Sequence, residues 1–259
     1  MNLQLENKSA LITGSTRGIG FAIARLLAAE GARVIVNGRS VESARAAAQK
    51  IDDRARGVAA DVSTAAGCAE LIRQAPNVDI LVNNAGIFEP KPFADISDAD
   101  WERFYQVNVM SGVRLARACL RGMLQRNWGR MLFISSESGV QIPEEMIHYG
   151  MTKAAELALV NGIAQLTRGT GVTVNAVLPG PTASEGVTDF VDTLAAGAKQ
   201  TAAEFEKEFF RSVRPTSLLQ RFASPDEVAA MVAFVASPVS SATNGAALRA
   251  EGGVVRSIV

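Results

Sequence analysis

Tyr149 and Lys153 are four residues apart in the segment Tyr-Gly-Met-Thr-Lys, and a pair of this kind can do acid–base chemistry. On an α-helix, residues four apart lie on the same face. A lysine ammonium beside a phenol favours the phenolate, so the spacing predicts a tyrosine whose pKa lies below its ordinary value of about 10. Such a group can exchange a proton with a carbonyl or alcohol oxygen near neutral pH. The same spacing also occurs on ordinary amphipathic helices, so the rest of the chain must decide.

The composition favours a large globular domain. The chain has 259 residues, 48% of them hydrophobic and 20% charged, which is enough apolar material for one α/β core over residues 1–259. Its formal net charge is zero, which argues against a polyanion-binding surface and therefore against a nucleic-acid partner. The N-terminus has no basic region followed by an apolar run, and no apolar stretch approaches the roughly 18 residues of a membrane span. We expect a soluble cytoplasmic protein with no membrane partner.

The residues that commonly bind metals are few. Cys68 and Cys119 lie in helical patterns without metal-ligand spacing and are interpreted as small buried hydrophobic residues. His148 is the only histidine, and no cluster of acids accompanies it. The sequence therefore predicts no metal site. Because neighbours on a helix point about 100° apart, His148 is also expected to face away from the partners of Tyr149.

Short apolar segments alternate with longer helical patterns along the chain. The predicted strands are Ser9–Thr13, Arg33–Asn37, Val58–Ala60, Asp79–Asn83, Arg130–Ser135, Val172–Val177 and Ala246–Arg249. The predicted helices are Ile19–Glu30, Val41–Lys50, Thr64–Gln74, Asp98–Arg126, His148–Arg168 and Ser224–Ala236. Strands that are nearly continuously apolar are typical of parallel sheets covered on both faces. The alternation predicts an α/β fold of the Rossmann type: a doubly wound, mainly seven-stranded parallel sheet flanked by helices.

One segment does not fit this alternation. Residues Pro181 to about Pro215 follow the sixth strand and show helical periodicity over Phe190–Ala196 and Thr201–Phe210. An insertion of this length at the carboxyl edge of the sheet is predicted to be a helical substrate lid.

A glycine-rich turn joins the first strand to the first helix. Its glycines permit a tight turn and a close approach of the backbone to a pyrophosphate, which the helix N-terminus stabilises. The predicted cofactor-binding residues of this turn are Gly14, Ser15, Thr16, Arg17, Gly18, Ile19 and Gly20. The spacing is Thr-Gly-x-x-x-Gly-x-Gly rather than Gly-x-Gly-x-x-Gly.

Further motifs follow in a fixed order along the chain. They are Asp61-Val62, Asn83-Asn84-Ala85-Gly86, Asn108, Ser136, Tyr149 with Lys153, and Pro179-Gly180. With these motifs the chain closely resembles the short-chain dehydrogenase/reductase superfamily, in its branch of roughly 250 residues that includes 3-oxoacyl reductases. The resemblance covers essentially the whole chain. One departure is Glu251, which stands where the family commonly has aspartate before Gly252-Gly253.

The resemblance implies a role for each residue of the acid–base centre. Tyr149 would protonate the carbonyl oxygen while the nicotinamide delivers hydride to the carbonyl carbon. Lys153 would hold the nicotinamide ribose and favour the tyrosinate. Ser136, with Ser135 and Ser138 as weaker competitors, would polarise the substrate oxygen. Asn108 would bend the long helix and link Lys153 to solvent through water.

The resemblance also implies the remaining cofactor contacts. They are Asp61 and Val62 at the adenine, Asn84, Ala85 and Gly86 at the adenine ribose, and Pro179, Gly180 and Thr182 at the nicotinamide. The second strand ends in Asn37-Gly38-Arg39-Ser40, with no acid to accept from the ribose hydroxyls or repel a 2′-phosphate. Because Arg39, with Arg17, can bind that phosphate, NADP(H) is predicted over NAD(H), which remains the alternative.

The resemblance also implies that the substrate is a small carbonyl compound or alcohol. Glu137, Gln141 and Met146 are predicted to line its pocket, with Glu137 the better candidate and Glu144 and Glu145 interpreted as solvated charges. The alternative activities are reduction of a 3-oxoacyl thioester on a carrier protein and, in a different class, regulation by an inactive NADP-binding protein. Small residues on Asp98–Arg126 and His148–Arg168, together with the resemblance, predict a homodimer or homotetramer.

Overall fold

The computed structural model describes residues 1–185 and 201–258, and its centre is a seven-stranded sheet in which every pairing is parallel. The strands are β1 (Ser9–Ile12), β2 (Arg33–Gly38), β3 (Ala55–Ala59), β4 (Ile80–Asn83), β5 (Gly129–Ile134), β6 (Val172–Pro179) and β7 (Ala247–Ala250). Their order across the sheet is β3-β2-β1-β4-β5-β6-β7. The chain therefore runs outward twice from β1, which is the doubly wound arrangement predicted from the sequence.

Helices connect successive strands and cover both faces of the sheet. They are α1 (Gly18–Ala29), α2 (Val41–Gln49), α3 (Ala65–Gln74), α4 (Asp98–Phe104), α5 (Ser111–Gln125), α6 (Ile147–Gln165), α7 (Ala202–Ser212) and α8 (Pro225–Ala236). Capping boxes start α4, α7 and α8, where Ser97, Thr201 and Ser224 each accept from a backbone N–H of the first turn. None of the described helices is both long and apolar enough to span a membrane.

Two apolar clusters, one on each face, fix the sheet between its helices. Alternation along β1 sends Ile12 to the cluster that holds Ile23 of α1 and Val232 of α8. Leu11 enters the other cluster, with Leu115 of α5 among its members. Both β1 side chains are fully buried, so the strand that precedes the glycine-rich turn is held rigidly from both sides.

The long helix predicted over Asp98–Arg126 is interrupted. Between α4 and α5 the chain forms a π-helical turn over Tyr105–Met110, which contains the predicted site residue Asn108. The Asn108 side chain bonds outward to the backbone of Ile87, and the Ser111 hydroxyl donates to the carbonyl of Val107 at 2.5 Å. A widened turn of this kind often marks a functional position. Apolar periodicity alone did not reveal it.

Two strands differ from the predicted bounds by two or more residues, and the inserted segment is described only in part. β3 was predicted at Val58–Ala60 but begins at Ala55, since it is an edge strand whose first residues are partly exposed and need not be apolar. β6 runs to Pro179, two residues beyond its predicted end at Val177. In the insertion, α7 corresponds to the predicted Thr201–Phe210 helix, whereas the predicted Phe190–Ala196 helix lies outside the described residues.

Candidate active site

The predicted site residues follow the carboxyl ends of four neighbouring strands. Because all the strands are parallel, those ends lie at one edge of the sheet, and the chain reverses direction across the sheet between β1 and β4. The glycine-rich turn follows β1, Asn84 follows β4, Ser136 follows β5 and Gly180 follows β6. This is the edge at which open α/β sheets bind ligands.

Glycine is required at three positions of the turn after β1. Gly14 and Gly18 have φ of +59° and +60°, a region that side chains with a Cβ rarely adopt. At Gly20 a Cβ would lie 2.4 Å from Nδ2 of Asn84. The Asn84 amide in turn donates to the carbonyls of Thr13 and Gly14 at 2.9 and 3.0 Å. The turn is therefore closed against the end of β4 by direct hydrogen bonds.

The N-terminus of α1 binds a negatively charged side chain in this structure. The N-cap residue Arg17 makes no side-chain cap, and the N–H of Gly18 donates instead to the carboxylate of Glu185 at 2.5 Å. The carboxylate is a negatively charged oxygen group at a helix N-terminus, which is the chemistry a pyrophosphate would present there. The glycines and this helix N-terminus therefore fit a dinucleotide, whose pyrophosphate would replace Glu185 at the Gly18 amide.

The end of β2 is arranged without a carboxylate. Asn37 is buried, and its amide donates to the carbonyls of Val58 and Ala60 at 3.3 and 3.1 Å, so it is committed to the sheet. Arg39 and Arg17 are both exposed. Two cationic side chains are therefore available near the glycine-rich turn.

The residues predicted at the adenine differ in exposure. Asp61 is exposed, and its carboxylate accepts from the N–H of Ser63 at 3.0 Å. Val62 is buried and belongs to one of the two apolar clusters. Asp61 is thus the member of the pair with a polar group at the surface.

The segment after β6 is fixed from the C-terminal end of the chain. A Cβ at Gly180 would lie 2.5 Å from the carbonyl oxygen of Glu251, so only glycine fits. Thr182 donates to the carbonyl of Gly180 at 2.9 Å. The Glu251 carboxylate accepts from the N–H groups of Val254 and Val255, so glutamate serves as the anchor of the turn at this position.

The two serines after β5 have different partners. Ser135 donates to the carbonyl of Lys153 at 2.9 Å and is committed to the backbone of α6. Ser136 donates to the carboxylate of Glu137 at 2.5 Å and also hydrogen-bonds the phenol of Tyr149. Ser136 is therefore the serine that lies beside the predicted acid.

Lys153 is buried in an ion pair. Its Nζ donates to the carbonyl of Ile134 at 2.8 Å and to the two carboxylate oxygens of Glu156 at 3.1 and 3.2 Å. The exposed fractions of Lys153 and Glu156 are only 4% and 2%. Nζ is also 5.7 Å from the centre of the Tyr149 ring, within range of a cation–π interaction. One lysine thus faces both the phenol and a buried carboxylate.

The expectation of a lowered tyrosine pKa is wrong for this structure. Desolvation raises the pKa of Tyr149, and the negative charges of Glu137 and Glu156 add to the shift, while Lys153 and the Ser136 hydrogen bond lower it. The net shift is upward because burial outweighs the lysine. Lys153 acts in the predicted direction, but the negative charge of its counter-ion Glu156 opposes it.

Lys153 and Glu156 each shift the pKa of the other. Desolvation raises the pKa of Glu156 to about 7, even though Lys153 opposes that shift. Burial alone would lower the pKa of Lys153, but the negative charges of Glu156 and Tyr149 raise it overall. Near neutral pH the carboxyl is consequently the group of this pair that changes charge.

Asn108 lies next to this pair through its π-helical turn. Its Oδ1 accepts from the N–H of Ile87 at 2.8 Å, and its Nδ2 donates to the carbonyl of Ile87 and to the hydroxyl of Thr152 at 3.0 and 2.9 Å. A Cβ at Gly86 would lie 3.5 Å from Oδ1 of Asn108 and 3.6 Å from Nζ of Lys153. Gly86 thus lies beside both the Asn108 amide and the Lys153 ammonium.

His148 is turned away from these groups, as its helix position predicts. It is fully buried, with its ring 4.0 Å from that of Phe104 and 5.9 Å from that of Trp101. Tyr149 instead packs its ring edge-on at 6.4 Å from Phe88.

The three residues predicted to line the substrate pocket are not equivalent. Glu137 is buried beside Ser136, Met146 is half-buried and Gln141 is exposed. Glu145, interpreted from sequence as a solvated charge, pairs instead with Arg214 at 3.0 Å. Sequence reasoning missed Arg214 because its partners lie 77 and 69 residues away.

Glu156 was missed although the sequence carries a signal for it. A carboxylate three residues after a lysine on the same helix lies within reach of its ammonium.

A separate cavity of about 440 Å³ opens at the opposite, amino-terminal edge of the sheet, between Arg33, Asp53 and Pro76. It is remote from the groups described above.

An open parallel sheet that presents a glycine-rich turn, a serine and a tyrosine–lysine pair at one edge is the arrangement expected of a dinucleotide-dependent oxidoreductase. A family model described as short chain dehydrogenase matches residues 8–195, and the chain belongs to that family. It is therefore an oxidoreductase acting between alcohol and carbonyl groups with a nicotinamide dinucleotide.

Several relatives match over the whole chain. The chain is 49% identical to the uncharacterized oxidoreductase YvaG of Bacillus subtilis (strain 168), with 100% of both chains covered. It is 34% identical to the 3-oxoacyl-[acyl-carrier-protein] reductase FabG of Aquifex aeolicus, covering 98% of this chain and 100% of the relative. Among solved structures, L-sorbose reductase from Gluconobacter frateurii, complexed with NADPH and L-sorbose, is 31% identical with a TM-score of 0.90 and 100% of both chains covered.

Proposed function

We propose that this protein is an NADP(H)-preferring enzyme that interconverts a small carbonyl compound and its alcohol, with Tyr149 as the acid/base. The observation that carries the proposal is the convergence of Ser136, Tyr149, Lys153 and Asn108 on one edge of the sheet, beside the glycine-rich turn. The whole chain, residues 1–259, would act as one catalytic domain, with the segment from Pro181 to Pro215 as its substrate lid.

Each residue has a separate task in this mechanism. A bound NADPH supplies the hydride that the carbonyl carbon receives. Tyr149 gives its phenolic proton to the carbonyl oxygen, which becomes the alcohol oxygen, and Ser136 hydrogen-bonds that oxygen and polarises it. The raised pKa of Tyr149 keeps the phenol protonated at neutral pH, which suits the direction of reduction.

Lys153 and Asn108 support proton transfer without touching the substrate. The positive charge of Lys153 stabilises the phenolate that is left when Tyr149 has given up its proton. The Asn108 amide and the Lys153 ammonium both lie beside Gly86. The Asn108 amide also donates a hydrogen bond to the hydroxyl of Thr152, which adds a further polar group to this series. The phenol then recovers its proton from solvent through these groups.

The cofactor would be bound by residues from several loops. Those we assign to it are Gly14, Ser15, Thr16, Arg17, Gly18, Ile19, Gly20, Arg39, Asp61, Val62, Asn84, Ala85, Gly86, Tyr149, Lys153, Pro179, Gly180 and Thr182. The preference for NADP(H) is supported by exposed Arg39 and Arg17 near a strand end without a carboxylate. It is also supported by the L-sorbose reductase, a relative of the same fold that is complexed with NADPH.

A 3-oxoacyl-thioester reductase is the second candidate. The 34% identity with the Aquifex aeolicus FabG over the full length of both chains favours it. An inactive regulatory protein is the candidate from a different class, and the presence of Ser136, Tyr149 and Lys153 together argues against it.

We further propose association into a homodimer or homotetramer through α4, α5 and α6, where Ala158 and Gly162 are exposed.

A panel of carbonyl compounds and alcohols, followed at the absorbance of the reduced nicotinamide with both dinucleotides, tests this function. We expect turnover with NADPH that exceeds turnover with NADH by at least about tenfold in kcat/KM. Tight NADPH binding without turnover of any compound would contradict the enzyme and favour the regulator.

Replacing Arg39 tests the choice of dinucleotide. We expect Arg39→Ala to lower kcat/KM for NADPH by about 10- to 100-fold, since one or two charge-assisted hydrogen bonds to the 2′-phosphate are lost. The value for NADH should stay within about twofold. Arg45→Ala is the matched control, because Arg45 is an exposed arginine on the neighbouring helix α2. Equal losses with the two dinucleotides would show that Arg39 does not read the phosphate.

A further inference from the structure

Three charged side chains form a cluster beside the predicted acid. Nε of Arg214 lies 3.5 Å from Oε1 of Glu137, and Nη1 of Arg214 lies 3.0 Å from Oε1 of Glu145. Glu137 and Arg214 are only 5% and 9% exposed. Burying charges is costly unless they are paired and hydrogen-bonded, so a cluster at this place needs a reason.

The single hydroxyl proton of Ser136 is used in a hydrogen bond to Glu137. The Ser136 hydroxyl donates to Oε2 of Glu137 at 2.5 Å, while the other carboxylate oxygen accepts from Ser138 at 3.2 Å and faces Arg214. A carboxylate can only accept, so Ser136 must turn this proton away from Glu137 before it can polarise a carbonyl. Oε2 is then a buried carboxylate oxygen that has lost its donor.

We infer that Glu137 binds the substrate and selects carbonyl compounds that carry a hydroxyl group on the carbon next to the carbonyl. That hydroxyl takes the place of Ser136 as the donor to Oε2, and the Ser136 proton becomes available for the carbonyl oxygen. The exchange is geometrically direct, because the Ser136 hydroxyl is within hydrogen-bonding reach of both the Glu137 carboxylate and the Tyr149 phenol. This inference rests on the proposed function and specifies its substrate class.

The same geometry disfavours two other kinds of substrate. An alkyl group next to the carbonyl leaves Oε2 of Glu137 buried without a donor, a penalty that rejects analogues lacking a hydroxyl. An anionic group meets two carboxylates, Glu137 and Glu145, against the single guanidinium of Arg214. A 2-oxo acid is therefore expected to be a poor substrate, and so is a carbonyl with a purely alkyl neighbour.

Matched pairs of ketones test this selection. Hydroxyacetone and butanone have the same number of heavy atoms and differ by a hydroxyl in place of a methyl group. The pair 2-hydroxycyclohexanone and 2-methylcyclohexanone repeats the comparison on a ring. We expect the wild-type protein with NADPH to favour the hydroxylated member by at least about 30-fold in kcat/KM. Pyruvate should be reduced no better than butanone.

The variant Glu137→Gln identifies the residue responsible. A neutral acceptor replaces the carboxylate, so the preference should fall by about tenfold, through loss on the hydroxylated member. The preference is a ratio measured within one preparation, so the amount of folded enzyme cancels. Glu144→Gln is the control, because Glu144 is an exposed glutamate in the same loop and undergoes the same chemical change. Its preference should equal that of the wild type.

The possible failures are distinguishable. Turnover of butanone or a 3-oxoacyl thioester as good as that of hydroxyacetone would overturn this inference and leave the proposed function standing. An unchanged preference in Glu137→Gln would likewise remove Glu137 from the substrate site. No turnover of any carbonyl, with NADPH binding shown by fluorescence titration, would remove the proposed function itself.

Discussion

Tyr149→Phe is expected to lower the turnover of every substrate by about 10³-fold, because it removes one oxygen atom that acts as the proton donor. Phenylalanine keeps the ring, so the edge-on contact with Phe88 at 6.4 Å and the cation–π contact with Lys153 persist. The fold and the affinity for NADPH should therefore change little. Turnover is measured at the absorbance of the reduced nicotinamide, and affinity by fluorescence titration.

The chain provides its own control for this substitution. It contains only two tyrosines, and the other, Tyr105, is 42% exposed in the π-helical turn near Asn108. We expect Tyr105→Phe to retain turnover within about twofold. If Tyr149→Phe kept a tenth of the wild-type rate, the proton would have to come from another group, with Ser136 as the nearest hydroxyl.

The sequence predicts the fold well where the determinants are local. Ala10, Leu11 and Ile12 of β1 are fully buried and apolar, and the turn after the strand needs glycine at φ of +59° and +60°. Both features are visible in the residue types alone. The same holds for the start of α8, where Ser224, Pro225 and Glu227 form a capping box with proline in the first turn.

Features that depend on long-range contacts could not be predicted from local patterns. The π-helical turn is accompanied by bonds from Asn108 to Ile87, 21 residues earlier, and to Thr152, 44 residues later. Arg214 meets Glu137 across 77 residues, and the sequence around it shows only a mixture of charges. The contact between Arg214 and Glu137 therefore becomes visible only in three dimensions.

The sign of the tyrosine pKa shift illustrates the same limit. The Tyr149–Lys153 spacing correctly predicts that the two side chains share a helix face and that Lys153 favours the phenolate. The net pKa also depends on burial and on the carboxylates of Glu137 and Glu156, which spacing does not measure. The chemistry of the pair is set by its neighbours as much as by its spacing.

Lys153→Met is expected to destabilise the protein as well as to abolish its support for Tyr149. In the wild type, Lys153 holds the pKa of the buried Glu156 carboxyl down to about 7 against desolvation. Without the ammonium only desolvation remains, so the pKa of Glu156 rises further above its ordinary value of 4.5. A buried carboxylate without its partner is costly, so the variant keeps Glu156 protonated to a higher pH than the wild type does.

The loss should depend on pH in a defined direction. A carboxyl whose pKa is raised in the folded state contributes stability that is fully present below its unfolded pKa and is lost as the pH rises through its folded pKa. Lys153→Met should therefore be close to the wild type at pH 5, where Glu156 is protonated in both proteins. At pH 8 the wild-type carboxyl is largely ionised beside Lys153 while that of the variant stays protonated, so the variant should be less stable than the wild type by about 1.4 kcal/mol. Urea unfolding at the two pH values measures the difference.

A double variant separates the structural role of the pair from its catalytic role. Replacing a whole buried ion pair by apolar side chains is often neutral for stability. Lys153→Met combined with Glu156→Leu should therefore regain most of the unfolding free energy at pH 8 while its turnover stays as low as that of Lys153→Met. Recovery of turnover together with stability would mean that Lys153 serves only to neutralise Glu156. Continued low turnover in a stable protein means that the charge of Lys153 acts on Tyr149. Glu156 then serves to offset the desolvation cost of the buried lysine.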